Sequence, residues 1–308
     1  MVAVVTGAAG FIGRTLVRVL AARGAVLGVD RLPQPRAPGL TRITADLLDD
    51  DPAVLRALAG AEVVYHLAGC PDVRDRRSDA AQRRYRDNVL ATAAVLTAVP
   101  PDTRLVVTSS SSVYGGTVGP RPSCESDRLR PRGGYARSKV RTEQLCDARA
   151  QAGGSVTVVR PFTVAGAGQR PGMALARWIA AARAGEPLTV FGSPARSRDI
   201  TDVRQVAAAL VDLGGCGTGG TVNLGTGVGH TLTELVDAVS RVLGVPVRRS
   251  VTRAEHVEVS HTLADTRALR RAIGWVPSTD LDDLLARQLS GLDALPSALE
   301  AAALEAVP

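Results

Sequence analysis

Through its first 115 residues the chain alternates short, β-branched apolar runs with helical periods: VAVVTG, GRTLVRVLAARG, AVLGVD, PAVLRALAGAEVVYHLAG, LATAAVLTAV and RLVVTSSSSVYG. Strands that are apolar throughout and separated by helices fit a parallel sheet covered on both faces, because a strand with a wet face would alternate apolar and polar residues. The pattern therefore predicts an α/β fold, a doubly wound parallel sheet. After VTVVRPF it loosens into the helical ALARWIAAARAG, the strand-like PLTVFG and TVNLG, and the helices TLTELVDAVSRVLG and ADTRALRRAIG. We read residues 1–160 as the sheet domain, with part of the later chain returning to it. Residues 161–293 read mainly as a smaller C-terminal substrate lobe, and the alanine-rich 294–308 as a tail. No apolar run reaches the roughly 18 to 20 residues of a membrane span. The N-terminus lacks a basic, then apolar, then cleavage-site pattern, so a cytoplasmic protein is expected.

Between the first strand and the first helix, VAVVTGAAGFIGRTLVRVL places Gly7, Gly10 and Gly13. Glycine there permits a tight turn, lets the backbone approach a pyrophosphate and lets the helix pack closely; the helix start, at Phe11 and Ile12, offers free N–H groups. This is the arrangement of a Rossmann dinucleotide site. The second strand ends in Asp30, whose carboxylate can accept both ribose hydroxyls and would repel a 2′-phosphate, favouring NAD over NADP. Arg31 beside it is able to meet a 2′-phosphate and pulls the other way. Asp46 and Leu47 in ADLLD are placed to meet the adenine, and Leu67 and Ala68 in HLAG end the fourth strand. His66 reads equally well as a hydrogen-bonded core residue. With four histidines and no spaced pair, a metal site has no support. The four cysteines show no CxxC pair and read as reduced thiols.

Of the 37 lysine and arginine positions only one is lysine, Lys139, and it stands four residues after Tyr135 in YARSK. On a helix, residues i and i+4 share a face. A nicotinamide enzyme acting on an alcohol needs a base for the hydroxyl proton, and a tyrosine with an ordinary pKa near 10 needs a neighbouring cation to serve. A compact ammonium can reach the cofactor ribose while sitting near the phenolate; the broad, planar fork of arginine cannot. That accounts for one lysine in a sequence that otherwise writes arginine.

TGAAGFIG, SSSSVYG, YARSK, RPF, SRDITDV and NLGTG, in this order, resemble the extended short-chain dehydrogenase/reductase family, specifically its NAD-dependent nucleotide-sugar epimerases and dehydratases, over the chain to about Leu285. The resemblance implies Ser110 as the catalytic hydroxyl, Tyr135 as the base and Lys139 as its partner. It implies Asn88, in RDNVLAT, near the active site, and Arg198 and Arg253 on the nucleotide diphosphate. The formal charge of +7 is then partly a substrate-binding charge. The cluster from Arg74 to Arg86 is interspersed with acids and has no aromatic platform beyond Tyr85, so it reads as a solvated surface with Arg74 turned to an anionic ligand, not as a nucleic-acid interface.

The resemblance also speaks to the reaction. Sugar 4,6-dehydratases carry an acidic pair just before VYG, and uridine diphosphate-xylose synthases a glutamate; here Ser111 and Ser112 stand there, as in 4-epimerases. RPFTVAGAGQRPGMALARW resembles a stretch of uridine diphosphate (UDP)-glucuronate 4-epimerases, with Thr163 in the sugar pocket and Arg170 on the sugar carboxylate. A bidentate arginine there would restrain a 4-keto uronic acid from losing carbon dioxide. Ala165, Ala167 and Gly172 depart from the family's tyrosine, proline and aspartate, which leaves a larger or differently substituted sugar open. The expectation is 4-epimerisation of a nucleotide sugar with NAD. Alternatives are oxidative decarboxylation, dehydration or 4-ketoreduction, or a non-catalytic NAD-binding regulatory protein. LATAAVLTAVP and SKVRTEQLCDARAQ carry apolar faces resembling dimer surfaces, so a homodimer is expected.

Overall fold

A computed structural model describes residues 2–71, 77–117, 121–253 and 259–293. The expectations placed on Arg74 and on the tail 294–308 lie outside the described residues.

The first strand, β1 (Ala3–Thr6), is buried along its length and leads through the glycine turn into α1 (Phe11–Ala21). Leu16, Val17 and Leu20 make the inward stripe of α1, the spacing of one helix face. The chain continues through β2 (Val26–Asp30), β3 (Leu40–Thr44), α2 (Pro52–Ala59) and β4 (Val63–His66). The start of α2 is fixed by Pro52 and by the Asp51 carboxylate, which accepts from the Ala53 N–H at 2.7 Å. Next come α3 (Ala80–Arg84), a π-helical turn at Tyr85–Leu90, α4 (Ala91–Ala98), β5 (Arg104–Thr108) and a short 3-10 turn at Ser111–Tyr114. The long α5 (Gly133–Gln151) then leads to β6 (Thr157–Pro161) and β7 (Thr163–Ala165).

The later elements are α6 (Ala174–Arg183), β8 (Leu188–Phe191), β9 (Ser197–Asp202), α7 (Val203–Cys216), β10 (Gly220–Leu224), β11 (Gly229–Thr231), α8 (Leu232–Leu243), β12 (Arg249–Thr252), α9 (Arg267–Ile273) and α10 (Leu281–Asp293). Thr231 and Glu234 close a reciprocal capping box at the start of α8.

Seven strands make one sheet in the order β10-β6-β5-β4-β1-β2-β3, and every neighbouring pair is parallel. The TVNLG run, beyond residue 160, thus supplies an edge of the main sheet. One face is covered through Leu16, Leu20, Val206, Leu210 and Leu213, and the other through Val54, Leu58, Val95, Val99 and Cys146. A third cluster gathers Trp178, Ile179, Val190, Ile200, Leu235 and Leu284 around the small sheets β11-β9-β7 and β12-β8. The strand order reverses between β1 and β4. In open parallel sheets a ligand crevice forms at the carboxyl ends of the strands where the order reverses, and both the glycine turn and the start of the HLAG loop lie there.

Candidate active site

The glycine turn is as tight as its sequence requires. Gly7 has φ +74°, and a Cβ on it would stand 2.6 Å from the Ala68 nitrogen and 2.7 Å from the Leu67 carbonyl carbon. A Cβ on Gly13 would fall 2.0 Å from the Gly7 oxygen. Gly10 is the N-cap of α1 and no side chain caps it, so the first amides of the helix, at Phe11 and Ile12, have no side-chain acceptor. Uncapped amides at a helix start, with the positive end of its dipole and a side-chain-free approach, suit a pyrophosphate. Asp30, at the end of β2, accepts from the Ala9 N–H and the Leu32 N–H, each at 2.9 Å, which pins its carboxylate against this turn. The residues present fit a dinucleotide.

Arg31 and Asp46 sit in one ion-pair ring. Arg31 donates both terminal nitrogens to Asp87, at 3.1 and 3.0 Å, and lies 3.5 Å from Asp46. Arg86 closes the ring with 2.7 Å to Asp46 and 2.9 Å to Asp87. Leu47 packs on the core beneath. Asp87 and Arg86 escape sequence reasoning because their partners lie about 40 to 56 residues away.

His66 is a core residue. It is 2 % exposed, and its two ring nitrogens are taken by the hydroxyls of Thr6 at 2.7 Å and Thr92 at 3.0 Å. Burial, with the Lys139 charge adding to it, brings its pKa down to about 3, so the imidazole is neutral. Among the described residues no group of His, Cys, Asp and Glu could hold a metal ion.

Tyr135 and Lys139 lie one turn apart on α5, both buried. The Ser110 hydroxyl, just after β5, lies near enough to the Tyr135 phenol to lower its pKa and accepts from the Ser112 N–H at 3.1 Å. Burial pushes the phenol above its ordinary pKa, and the Ser110 hydroxyl and the Arg170 charge draw it back. Lys139 points elsewhere than the spacing argument alone suggests: its Nζ donates to the Thr108 carbonyl at 2.9 Å. That carbonyl closes β5, and a buried ammonium takes the acceptor within reach. Burial lowers the ammonium to about 8.

Asn88 is 1 % exposed and fully engaged. Its Oδ1 accepts from the Cys70 N–H at 2.7 Å, while its Nδ2 donates to the Ser138 hydroxyl at 2.8 Å and to the Cys70 carbonyl at 3.2 Å. It therefore ties the loop after β4 to α5. Ser111 and Ser112 lie on the 3-10 turn next to Ser110, and the Ser112 hydroxyl is buried with no partner among the described residues. Thr163 opens β7 opposite Ile200. Arg170 is exposed, reaching the Pro71 carbonyl at 3.5 Å, close enough for its charge to act on Tyr135. Arg198 lies on β9 opposite His230, its guanidinium bonded to the Ser197 and Ser260 carbonyls at 2.8 and 3.3 Å. Arg253 is exposed beyond β12. The structure thus brings Ser110, Tyr135 and Arg170 together, with Lys139 and Asn88 behind them; Arg198 and Arg253 belong to the later part of the chain.

Two of the three small residues expected beside the sugar pocket serve packing. Ala165 is fully buried in the third core cluster. Ala167 meets α10, where a Cβ on Gly291 would come within 2.8 Å of its own Cβ. Gly172 alone faces open space.

The family model described as the NAD-dependent epimerase/dehydratase family matches residues 3–225, and the chain belongs to that family. A UDP-glucose 4-epimerase of Mycolicibacterium smegmatis is 32% identical, over 92% of this chain and 96% of that protein. MoeE5, solved in complex with UDP-glucuronic acid and NAD, is 36% identical with a TM-score of 0.85, covering 95% of this chain and 99% of that one. The UDP-glucuronic acid 4-epimerase of Bacillus cereus, solved with UDP-glucuronic acid and NAD, is 26% identical with a TM-score of 0.88, covering 96% and 100%. The chain is accordingly an NAD-dependent enzyme of the nucleotide-sugar epimerase kind, an isomerase.

Proposed function

We propose that the chain epimerises UDP-glucuronate to UDP-galacturonate at C4 through a transient 4-keto sugar. What supports this reading is Arg170: exposed, with its guanidinium reaching the Pro71 carbonyl in the loop after β4, it carries a charge that lowers the pKa of the Tyr135 phenol. A guanidinium there offers a two-pronged grip on a C6 carboxylate close to C4. Ser111 and Ser112 put neutral hydroxyls where dehydratases carry carboxylates, which disfavours dehydration at C5 and C6.

In this reading NAD, when bound, would supply the acceptor and then the donor of the C4 hydride. Tyr135 takes the 4-hydroxyl proton with Ser110 steadying the oxygen, and returns it once the ketone has turned over. Burial alone would keep the phenol protonated, and the Ser110 hydroxyl and the Arg170 charge act against it. Lys139 holds the end of β5 through Thr108 and supplies the ammonium one helical turn from the phenol. Arg198 and Arg253 hold the diphosphate. A cytoplasmic homodimer is part of the same proposal. Ala81, Tyr85, Val89, Arg137 and Arg141 line a groove beside α5, and Tyr85 stands exposed there. A monomeric mass at micromolar concentration in sedimentation would remove the dimer from it.

The test is proton NMR of the purified protein with NAD and UDP-glucuronate, with headspace carbon dioxide followed in parallel. A new 4-epimeric anomeric signal without gas is expected. Carbon dioxide with a pentose product would make the enzyme a decarboxylase, and no turnover alongside turnover of UDP-glucose would move the substrate to a neutral hexose.

A further inference from the structure

Asp30 argues for NAD, and the arginine next to it could undo that argument. The structure shows what the arginine does instead. Arg31 is held in the four-membered ring already described, in which each carboxylate meets both guanidiniums and the formal charges cancel. The two acids are the less exposed members: the side chain of Asp87 is buried at 8% exposed and that of Asp46 half-buried at 15%, while Arg31 and Arg86 are 51% and 39% exposed. A buried carboxylate that loses a cation is costly, and an exposed guanidinium that changes partner is not. Asp87 therefore sets where Arg31 goes.

The π-helical turn places Asp87 for this. Asp87 reaches Arg31 at the end of β2, whereas Asn88, the next residue, bonds the loop after β4 and α5. Turns of this kind are frequent at functional sites; this one serves the loops around the cofactor on two sides.

We propose that Asp87 is a cofactor-selectivity residue: it keeps the Arg31 guanidinium engaged in the ring, so that a 2′-phosphorylated adenosine meets the Asp30 carboxylate without Arg31 to receive it. The proposal rests on the Rossmann site and NAD dependence described above and concerns only the choice between NAD and its 2′-phosphate. It is independent of which sugar is the substrate.

The experiment is direct binding of NADH and NADPH to the full-length chain stripped of cofactor, read from the fluorescence of the nicotinamide, with no sugar present. The wild type should favour NADH. In Asp87→Asn, Arg31 is released and NADPH binding should tighten about fivefold to tenfold relative to NADH, the scale of one charge-assisted contact at a partly exposed site. Adding Arg31→Ala to that variant should remove the gain, and Arg31→Ala alone should leave the NADPH-to-NADH ratio at the wild-type value. An unchanged ratio in a folded Asp87→Asn protein would overturn the proposal, as would a gain that survives loss of Arg31. If Asp87→Asn does not fold, Arg31→Ala decides: a fall in NADPH affinity would show that Arg31 already meets the phosphate, and an unchanged ratio supports its sequestration.

Discussion

Lys139→Arg keeps the charge and changes only its shape, so it isolates the reason for the one lysine. Among the described residues the Lys139 Nζ makes a single hydrogen bond, 2.9 Å to the Thr108 carbonyl, in a pocket that leaves the residue 7% exposed. A Cβ on Gly69 would lie 3.7 Å from Nζ, so the loop after β4 already bounds the ammonium. A guanidinium brings five N–H donors in one plane, and the pocket shows one carbonyl to receive them. Donors left unsatisfied cost about 1 to 3 kcal/mol, and overpacking adds about 1 to 3 kcal/mol. The expected destabilisation of about 2 to 6 kcal/mol corresponds to a fall in Tm of roughly 3 to 9 °C at this chain length. Displacing the cation should lower kcat at least about 100-fold, the lower end of what a positioned acid–base system supplies. A pH profile separates this from simple damage. With its pKa brought down to about 8, the lysine loses its charge as pH rises through that value. The wild-type rate should therefore fall on that basic limb, while the residual rate of an always-charged arginine should not. Epimerisation followed by NMR from pH 6.5 to 9, with thermal melts, makes the comparison. A variant within tenfold of wild type in kcat, melting within about 2 °C of it, would refute the link between the lysine and the reaction.

Gly7→Ala should weaken NADH binding at least about tenfold, because the added Cβ meets the Ala68 backbone at 2.6 Å as well as paying left-handed strain of about 1 to 2 kcal/mol. Gly153→Ala, at φ +85° with open space around it, carries the strain without the clash and should leave NADH binding within about twofold, read by nicotinamide fluorescence. His66 is neutral in the fold, with its pKa lowered by burial to about 3, so its contribution to stability is whole above its ordinary value of 6.5 and is lost as pH falls from there toward 3. His66→Asn should flatten the decline of Tm between pH 6 and 4; an unaltered slope would mean that other groups govern acid unfolding.

What the sequence showed clearly was chemistry confined to a few consecutive residues. The glycine turn and the Tyr135–Lys139 spacing depend on one turn and one helix, and local geometry fixes both. The direction of Lys139 was hidden, since the Thr108 carbonyl that receives it is set by how β5 ends beside α5. The Arg31–Asp87 pair was hidden for the same reason: it joins the end of β2 to a helical turn that the strand order brings alongside. The buried pair of Arg160 and Glu143, bonded at 2.9 and 2.7 Å, likewise spans α5 and β6, with Ser109 and Tyr114 completing its hydrogen bonds.

The small residues of the loop after β7 are the most instructive difference, since nothing local distinguishes an alanine that enlarges a pocket from one that lets two elements meet. Arg14, in the first turns of α1, donates to the Gly168 carbonyl, and a Cβ on Gly168 would strike its guanidinium. Burial lowers the Arg14 pKa, and Phe11 lies 5.9 Å from its guanidinium carbon. The helix that begins at the glycine turn thus holds the loop that ends in Arg170. With Ala165 in the core and Ala167 against α10, that loop is braced on three sides through residues that the sequence presents as losses. Bracing of this kind is what a guanidinium needs to keep a carboxylate oriented through a reaction. Ala165 and Ala167 therefore pack the loop in place, whereas Gly172, facing open space, adds no brace to Arg170.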